Sequence, residues 1–325
     1  MTDDVFFLSG EQVARLLDAD TAIASQRAAF TALGAGGVDL PGKIMHPSRF
    51  DDSVVFAYVS RLSADTGAVA KFGSVNPGNA AAGLPTLHAV VTVLDPVTGR
   101  LAAVMDGTAV TTLRTAAASA VAVDALAGPD AADLAVLGSG TQALAHVRAI
   151  ARVRELKSVR LWSPTPRHRA RAAETLAAEG LPVEPADSAE AAVRGASLVA
   201  ACTLSTTPVV RGQWLDPGCT VVSVGSFEPG RREVDAEVVR RAMALGAVVV
   251  DDPETAAGHA GPVVDALGEG LLTRDDLVSL GEVLTGRRTA RTTPEGIVYY
   301  NSVGLGIQDA AAAWAVVEAA KGERR

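Results

Sequence analysis

A glycine-rich turn lies near the middle of the chain, in LAVLGSGTQALAHV, residues 134–147. An apolar, strand-like run precedes the turn and a helix-like run follows it, in a GxGxxA pattern. Glycines at such a turn let backbone N–H groups and a helix N-terminus approach a pyrophosphate. Because a series of strand–helix units begins here, the spacing predicts a dinucleotide-binding turn rather than an ordinary one. The residues expected to contact the dinucleotide are Gly138, Ser139, Gly140, Thr141, Gln142 and Ala143.

The end of the next strand indicates which dinucleotide binds. NAD-binding folds carry an acidic residue there that accepts a hydrogen bond from the ribose 2′-hydroxyl. The run SVRLW is followed instead by Ser163, Thr165 and Arg167, with no acid among residues 163–169. Hydroxyls and a guanidinium can bind a 2′-phosphate, which a carboxylate would repel. The sequence therefore favours NADP(H), with NAD(H) as the alternative.

These residues need a scaffold, and the hydrophobic pattern predicts the first part of one. Ser9 is placed as the N-cap of a helix that continues through residues 21–33 and ends at GAGG. Residues 53–105 form four runs that alternate with period two, which predicts an antiparallel sheet with DPVTGR as a hairpin turn. Residues 111–127 are strongly helical and should lead from this part into the next.

From residue 134 onward the pattern changes to repeated strand–helix units, with helices expected at 141–155, 166–179, 188–194 and 233–243. Such a series predicts a parallel, doubly wound sheet with helices on both faces. The final run, IVYYNSVGLGIQDAAAAWAVVEAAKG, predicts a strand or loop and then a long Ala-rich helix that packs on the first part. The fold class is therefore α/β, a doubly wound parallel sheet joined to an α+β domain.

Composition narrows the classes of partner. The formal net charge of −8 argues against nucleic acid or an anionic membrane surface. No window approaches 18 apolar residues without a charge, so we expect no membrane span. The start MTDDVFFLSGEQ lacks the pattern of a signal peptide, and a cytoplasmic location is expected. No cluster of Cys, His and Asp has metal-ligand spacing, so no metal site is expected.

Five stretches together resemble the ornithine cyclodeaminase/mu-crystallin family: AKFGSVNPGN, GLPTLHAVVTVLDPVTGRLAAVMDG, TTLRTAAASAVA, VLGSGTQA and NSVGLGIQDAAAA. They occur in family order over nearly the whole chain. The resemblance implies a Rossmann domain, residues 116–304, joined to a substrate and dimerisation domain, residues 1–115 and 305–325. It also implies a homodimer and an active site in the cleft between the two domains.

By the same resemblance, Lys71 contacts the substrate carboxylate and acts in proton transfer, and Arg114 clamps the carboxylate. These residue types suit the roles, because burial lowers the pKa of a lysine toward a useful range and a guanidinium binds a carboxylate bidentately. Lys43 stands where many relatives carry a carboxylate-binding arginine. A lysine keeps the positive charge but cannot form the two parallel hydrogen bonds of a guanidinium. His46 and His88 are further candidates for substrate contact. The resemblance also implies cofactor contacts at Thr115 and Ser302. Thr203, Val224, Gly225 and Ser226 follow strand ends of the doubly wound half, where the nicotinamide ribose and ring are expected.

One position departs from the cyclodeaminases of the family. These carry an aspartate two residues after the VG of one strand, where VGSFEPGRREVD has Phe227. A phenyl ring cannot accept a proton, and Glu228 would point the other way in an extended chain. The sequence therefore favours NAD(P)H-dependent reduction of a small cyclic or linear 2-imino acid, or the reverse amino-acid dehydrogenation. Two alternatives stay open: an ornithine or lysine cyclodeaminase with tightly bound NAD, and a non-catalytic ligand-binding protein of the mu-crystallin kind.

Overall fold

The computed structural model of the chain describes residues 5–324. These residues divide into two compact units. The first contains the chain up to Arg114 and again from Leu305 onward, and the second runs from Thr115 to Gly304. Each unit is built around its own sheet, and the boundary between the units falls inside one long helix.

The elements are numbered along the chain. The strands of the first unit are β1 (Phe6–Leu8), β2 (Ile44–Pro47), β3 (Val54–Ser60), β4 (Val69–Val75), β5 (Leu87–Leu94) and β6 (Leu101–Asp106). Those of the second are β7 (Asp133–Leu137), β8 (Ser158–Trp162), β9 (Val183–Pro185), β10 (Leu198–Ala201), β11 (Thr220–Ser223), β12 (Ala247–Val250), β13 (Val278–Ser279) and β14 (Val298–Asn301). The α-helices are α1 (Gly10–Leu16), α2 (Ala19–Gly34), α3 (Gly107–Leu126), α4 (Thr141–Ile150), α5 (Pro166–Ala178), α6 (Ala189–Val193), α7 (Ala236–Leu245), α8 (Pro253–His259), α9 (Gly261–Gly268), α10 (Leu280–Leu284) and α11 (Gly306–Glu323).

The sheet of the first unit has the order β1-β6-β5-β4-β3-β2. Strand β1 is parallel to β6, and all other neighbours are antiparallel. The period-two pattern sorts the side chains as expected: Lys71 on β4 faces inward and is buried, whereas the next residue, Phe72, is exposed. The predicted DPVTGR hairpin closes with Asp95 N donating to Arg100 O at 2.8 Å. Strands β1 and β2, at the two edges of the sheet, are too short for a period-two hydrophobic pattern to be recognised in the sequence.

The helix predicted from Ser9 through residue 33 is two helices in the structure. Ser9 is an N-cap, as predicted, and forms a capping box with Gln12. Leu17 then leaves the helical conformation, and the Asp18 side chain accepts a hydrogen bond from Thr21 N at 2.8 Å. A short acidic side chain thus caps a second helix where the hydrophobic pattern continued without a break.

Helix α11 covers the inner face of the first sheet, where it contacts β3, β4, β5 and β6 as well as α2. Its alanines let it approach the strands closely, and nearly all of its first three turns is buried. Trp314 anchors the helix, because its indole N–H donates to Gly67 O at 3.0 Å. The first turn of α11 therefore lies in the core of the first unit, directly over β4.

The sheet of the second unit is fully parallel, in the order β13-β12-β14-β11-β10-β7-β8-β9. Its central strands are short apolar runs that are buried on both faces, as a sheet covered by helices requires. Strand β7 has β8 on one side and β10 on the other, so the chain order reverses at β7. In such sheets ligands bind at the carboxyl ends of the strands on either side of the reversal. The α/β fold class predicted from the sequence is confirmed.

Several helix ends differ from the expectation. Helix α4 ends at Ile150, and α7 begins only at Ala236, because the Asp235 side chain caps it by accepting from Val238 N. Residue Glu233, expected in that helix, is consequently in a loop.

Within residues 5–324, α3 is the helix that is long and apolar enough to cross a membrane, but 61% of its apolar window is buried inside the protein, as in a core helix.

Candidate functional site

The glycine turn lies directly after β7, at the reversal of strand order. Gly138 has φ +125°, and a Cβ there would lie 2.5 Å from the carbonyl oxygen of Cys202, so only glycine fits. Gly140 is the N-cap of α4 and provides no side-chain cap, and a Cβ added to it would meet nothing within 4 Å. Ala143 is fully buried where the helix meets the sheet. The turn thus presents uncapped first-turn N–H groups to open space, which fits a pyrophosphate.

The other residues predicted at this turn are accessible to a ligand. Ser139 and Gln142 are half-buried and Thr141 is exposed. The side-chain oxygen Oε1 of Gln142 is buried and has no hydrogen-bond partner among the described residues. A polar atom left in this condition in a protein usually meets water or a ligand.

The carboxyl end of β8 carries cations and hydroxyls. Ser163 is buried, Thr165 caps α5 without a side-chain hydrogen bond, and Arg167 is exposed in the first turn of that helix. Arg169, in the same helix, donates a hydrogen bond from its Nη1 to Ser163 O at 3.1 Å. Two guanidinium groups therefore lie close in the chain to the end of β8, where a ribose-binding acid would otherwise stand.

A buried glutamate connects the loops that follow β10 and β11. The Glu233 carboxylate accepts hydrogen bonds from Thr203 Oγ1 at 2.8 Å, from Ser223 Oγ at 2.7 Å and from Gly225 N at 2.7 Å. Burial raises its pKa to about 7, against these hydrogen bonds, which lower it. Two predicted cofactor contacts, Thr203 and Gly225, are thus held at one carboxylate, and Val224 lies in the same loop.

Ser226 and Phe227, which follow in the chain, are used inside the second unit. Ser226 is fully buried, and its hydroxyl accepts from Glu233 N at 2.9 Å. Phe227 packs against the buried core, and the Arg231 guanidinium lies 5.2 Å from its ring centroid. Glu228 forms an ion pair with Arg231 at 3.1 Å. The segment where cyclodeaminases carry an aspartate therefore holds a packed ring and a paired acid.

A second buried acid holds the segment after β14. One oxygen of Asp251 accepts hydrogen bonds from Ser302 Oγ at 3.0 Å and from Val303 N and Gly304 N at 2.8 Å each. Its other oxygen accepts from the Tyr300 hydroxyl. The predicted cofactor residue Ser302 is therefore fixed in place, with its hydroxyl committed to this acid.

In the first unit, two predicted site residues meet at an acid that sequence reasoning missed. Lys71 Nζ lies 3.0 Å from Asp309 Oδ1, and Arg114 Nε lies 3.1 Å from the same oxygen. All three side chains are nearly inaccessible to solvent. Two buried cations on one carboxylate leave an excess of one positive charge, which favours binding of an anion.

Gln308 and two aromatic rings complete this cluster. Gln308 Oε1 accepts from Leu305 N at 2.7 Å and from Arg114 Nη1 at 3.3 Å. The two bonds to Arg114 use Nε and Nη1 and do not use its Nη2 end. Lys71 Nζ lies 5.7 Å from the ring centroid of Phe56 and 5.5 Å from that of Tyr58, and these rings stack on each other. The ammonium is thus held by one carboxylate and two ring faces.

Burial determines the proton affinity of Lys71. Burial lowers the pKa of the ammonium, the Asp309 carboxylate opposes this effect and the nearby Arg114 charge adds to it, and together they bring the pKa to about 8. Lys71 is therefore charged at neutral pH but can release its proton far more easily than an exposed lysine. This is the property expected of a general acid or base.

The remaining predicted residues differ in their placement. Lys43 immediately precedes Ile44, which pairs with Ala57 of β3. Because side chains alternate between the two faces along a strand, Lys43 falls on the same face of the sheet as Lys71. His46 and His88 are exposed on the opposite face of this sheet, away from Lys71. Thr115 is half-buried in α3, in the second unit.

Sequence reasoning missed the acids because each has an ordinary alternative role. Asp309 stands in the first turn of an Ala-rich helix, where an acid is expected simply to favour the helix dipole. Glu233 was placed inside a predicted helix, and Asp251 follows an apolar strand at a place typical of turns. The available signal was the pair Gln308 and Asp309 just before the apolar run of the helix, residues 310–317, since polar residues beside such a run are buried only with partners.

Comparison with known proteins agrees with this geometry. A sequence model described as the ornithine cyclodeaminase/mu-crystallin family matches residues 4–324. Ketimine reductase mu-crystallin of Mus musculus is 31% identical over 278 residues, which cover 86% of this chain and 84% of that protein. The sequence-based recognition of the family is confirmed.

Solved structures agree over both units. The Thermococcus litoralis Delta(1)-pyrroline-2-carboxylate reductase in complex with NADH and L-proline has a TM-score of 0.94 and 28% identity, and the match covers 98% of each chain. An archaeal alanine dehydrogenase dimer with bound NAD has a TM-score of 0.91 and 30% identity, over 99% of this chain and 97% of that one.

Proposed function

This chain belongs to the ornithine cyclodeaminase/mu-crystallin family, and we propose that it is an NAD(P)H-dependent reductase of small 2-imino acids, which can also run as an amino-acid dehydrogenase. The observation that carries this proposal is the buried cluster of Lys71, Arg114 and Asp309, with its excess positive charge and a lysine of lowered pKa. Its relatives include a ketimine reductase, a pyrroline-2-carboxylate reductase and an alanine dehydrogenase, and their activities support the same class of reaction.

The glycine turn is the proposed cofactor site. The first-turn N–H groups of α4 would bind the pyrophosphate, and Gly138 and Gly140 keep the backbone free of side chains there. When bound, the nicotinamide supplies or accepts a hydride. Glu233 and Asp251 hold the loops after β10, β11 and β14, so these loops need little reorganisation when they contact the cofactor.

The cationic cluster is the proposed substrate site. Arg114 binds the substrate carboxylate through the end of its guanidinium that neither Asp309 nor Gln308 uses. Lys43 contributes a further positive charge, on the sheet face that carries Lys71. Lys71 gives its proton to the imine nitrogen, whose lone pair forms the N–H bond. Hydride then adds to the C=N carbon while the π electron pair moves to nitrogen, which yields the amino acid.

The two alternatives receive less support. Cyclodeamination of ornithine or lysine would require an acid where Phe227 packs into the core and Glu228 is paired with Arg231. A purely ligand-binding protein could use these cations to hold an anion, but the lowered pKa of Lys71, about 8, additionally suits proton transfer. Release of ammonia from ornithine without net cofactor turnover would favour the first alternative, and cofactor binding without turnover of any imino acid would favour the second.

The cofactor proposed is NADPH in preference to NADH. Ser163, Thr165 and Arg167 stand at the end of β8 with no acid among them, and Arg169 is bonded to the backbone of Ser163. This combination of charge and hydroxyls suits a 2′-phosphate.

A homodimer is also proposed, because an exposed apolar row crosses the outer face of the first sheet. The strand register places Ile44, Ala57, Phe72 and Val90 in one row across four strands, and Ile44 and Phe72 are more than half exposed. An exposed apolar patch of this kind usually marks an interface. The archaeal alanine dehydrogenase, whose structure is a dimer, supports a dimeric state.

Replacing Lys71 by Met tests the function directly. We expect Lys71→Met to reduce kcat/KM for imine reduction by about 100-fold or more, since the proton donor is lost, while the dissociation constant of NADPH stays unchanged. Loss of NADPH absorbance at 340 nm with a cyclic ketimine carboxylate measures turnover, and fluorescence titration measures binding. The control is Lys321→Met, at an exposed lysine of the same unit. Retention of more than about a tenth of the rate in Lys71→Met would contradict the role given to this residue.

The pH dependence of the wild-type enzyme tests the same role independently. The reducing form requires protonated Lys71, whose pKa is lowered to about 8. We expect log kcat/KM for reduction to be level near pH 7 and to fall with a slope approaching −1 above pH 8, and log kcat/KM for dehydrogenation to rise with a slope approaching +1 below pH 8 and to be level above it. A reduction rate that rises through this range would show that the lysine acts in its neutral form.

Cofactor preference is tested at the end of β8. Arg167→Ala should lower the ratio of kcat/KM for NADPH to that for NADH by about 10- to 100-fold, the loss of one charged hydrogen bond. The matched control is Arg171→Ala, an exposed arginine one turn further along α5. An equal ratio in the two variants would remove Arg167 from the phosphate site.

The dimer is tested at the centre of the apolar row. Phe72→Glu should convert a dimer to a monomer in sedimentation velocity, because a charge is placed where two apolar faces would meet. Val97→Glu, at the exposed hairpin between β5 and β6, is the control and should remain dimeric. The same mass for both variants and the wild type would assign the interface elsewhere.

A further inference from the structure

Two adjacent residues of α11 leave one buried polar atom each without a partner. Asp309 Oδ1 binds both cations, but Oδ2 has no hydrogen-bond partner within residues 5–324. Gln308 Oε1 accepts two hydrogen bonds, but its Nε2 amide has none. Both side chains are at most 1% exposed. One free atom is an anionic acceptor, and the other is a neutral donor.

Such atoms are rarely left unsatisfied in the interior of a protein, because they have lost their bonds to water. The two are also held in place: Asp309 and Gln308 each bond to Arg114, so their free atoms lie beside a single guanidinium. The groups left for a ligand are therefore the Nη2 end of Arg114, the amide N–H of Gln308 and the Oδ2 oxygen of Asp309. Their complement is a ligand with an acid group and an N–H on neighbouring atoms.

We propose that the substrate is an open-chain 2-imino acid, whose C=N–H group donates its N–H to Asp309 Oδ2 and turns its nitrogen lone pair to Lys71, and that Gln308 Nε2 donates a hydrogen bond to the substrate carboxylate beside Arg114. This inference rests on the proposed function and specifies how the substrate is recognised. A 2-keto acid has a carbonyl oxygen instead of the N–H, and its lone pairs would face those of the carboxylate. The arrangement therefore selects an imine over the corresponding ketone.

The same contact serves the chemistry. Lys71 Nζ and the substrate nitrogen would bind the two oxygens of one carboxylate. When the proton passes from Nζ to the imine nitrogen, the positive charge moves from one partner of Asp309 to the other. No buried charge is left without its counter-charge at any stage. Asp309 thus stabilises the protonated imine, which is the form that accepts hydride at carbon.

Two planar inhibitors of equal shape test the proposal in the holoenzyme. Pyrrole-2-carboxylate presents an N–H next to its acid group, and furan-2-carboxylate presents a ring oxygen at the same place. In the wild-type enzyme with NADP⁺ bound, we expect the inhibition constant of the pyrrole acid to be about tenfold lower or better, as for one charge-assisted hydrogen bond. Equal inhibition by the two acids would overturn the proposal, and would mean that water occupies the Asp309 oxygen.

Variants locate the effect. Asp309→Asn keeps the shape but can place an N–H donor where Oδ2 stood, so the preference for the pyrrole acid should fall below about threefold. Gln308→Met should weaken both inhibitors by a similar factor and leave their ratio unchanged. Glu318→Gln, at an exposed acid of the same helix that pairs with Lys321, should retain the wild-type ratio. A full pyrrole preference in a folded Asp309→Asn enzyme would also contradict the assignment.

The outcome separates this inference from the proposed function. If the wild-type enzyme oxidises NADPH with a cyclic ketimine carboxylate but does not distinguish the two inhibitors, the function stands and the inference fails. If no imino acid is reduced, while the pyrrole acid still binds preferentially, the recognition of an N–H acid stands and the reductase function fails.

Discussion

Two cations held on one buried carboxylate are the constraint on which the first unit depends. Lys71 comes from the middle of a sheet, Arg114 from a helix and Asp309 from the first turn of another helix. Removing two cations from water is costly, and their mutual repulsion adds to the cost, so the acid between them is required if they are to be buried. Because one carboxylate does not neutralise both cations, the cluster keeps an affinity for a further anion.

The second unit uses buried acids in another way. Glu233 and Asp251 accept hydrogen bonds from hydroxyls and backbone N–H groups at the carboxyl ends of β10, β11 and β14. A loop whose N–H groups are bound in this way is held in one conformation. Rigid loops at the edge of a parallel sheet hold a ligand without a large loss of conformational entropy.

Much of this arrangement is predictable from the sequence, for identifiable reasons. Gly138 is recognised because its backbone geometry excludes a side chain, Gly140 because an N-cap without a side chain leaves room for a phosphate, and Lys71 because a lysine in an apolar strand is unusual. The four long strands of the first sheet and the strand–helix units follow from hydrophobic period. Asp18 and Asp235 show where this fails, since each ends or delays a helix by a local hydrogen bond that the period does not contain. Asp309 could not be assigned because its partners are 195 and 238 residues away in the chain.

The first unit is discontinuous, and this affects how the protein matures. Its closing helix, α11, follows all 190 residues of the second unit in the chain. Strand β14, which lies between β12 and β11 in the middle of the second sheet, ends only eight residues before Asp309 in the chain. During synthesis, the last strand of the second unit and the counter-ion of Lys71 and Arg114 therefore leave the ribosome almost together. Both cations stay hydrated until then, and neither unit can close before these final elements have emerged.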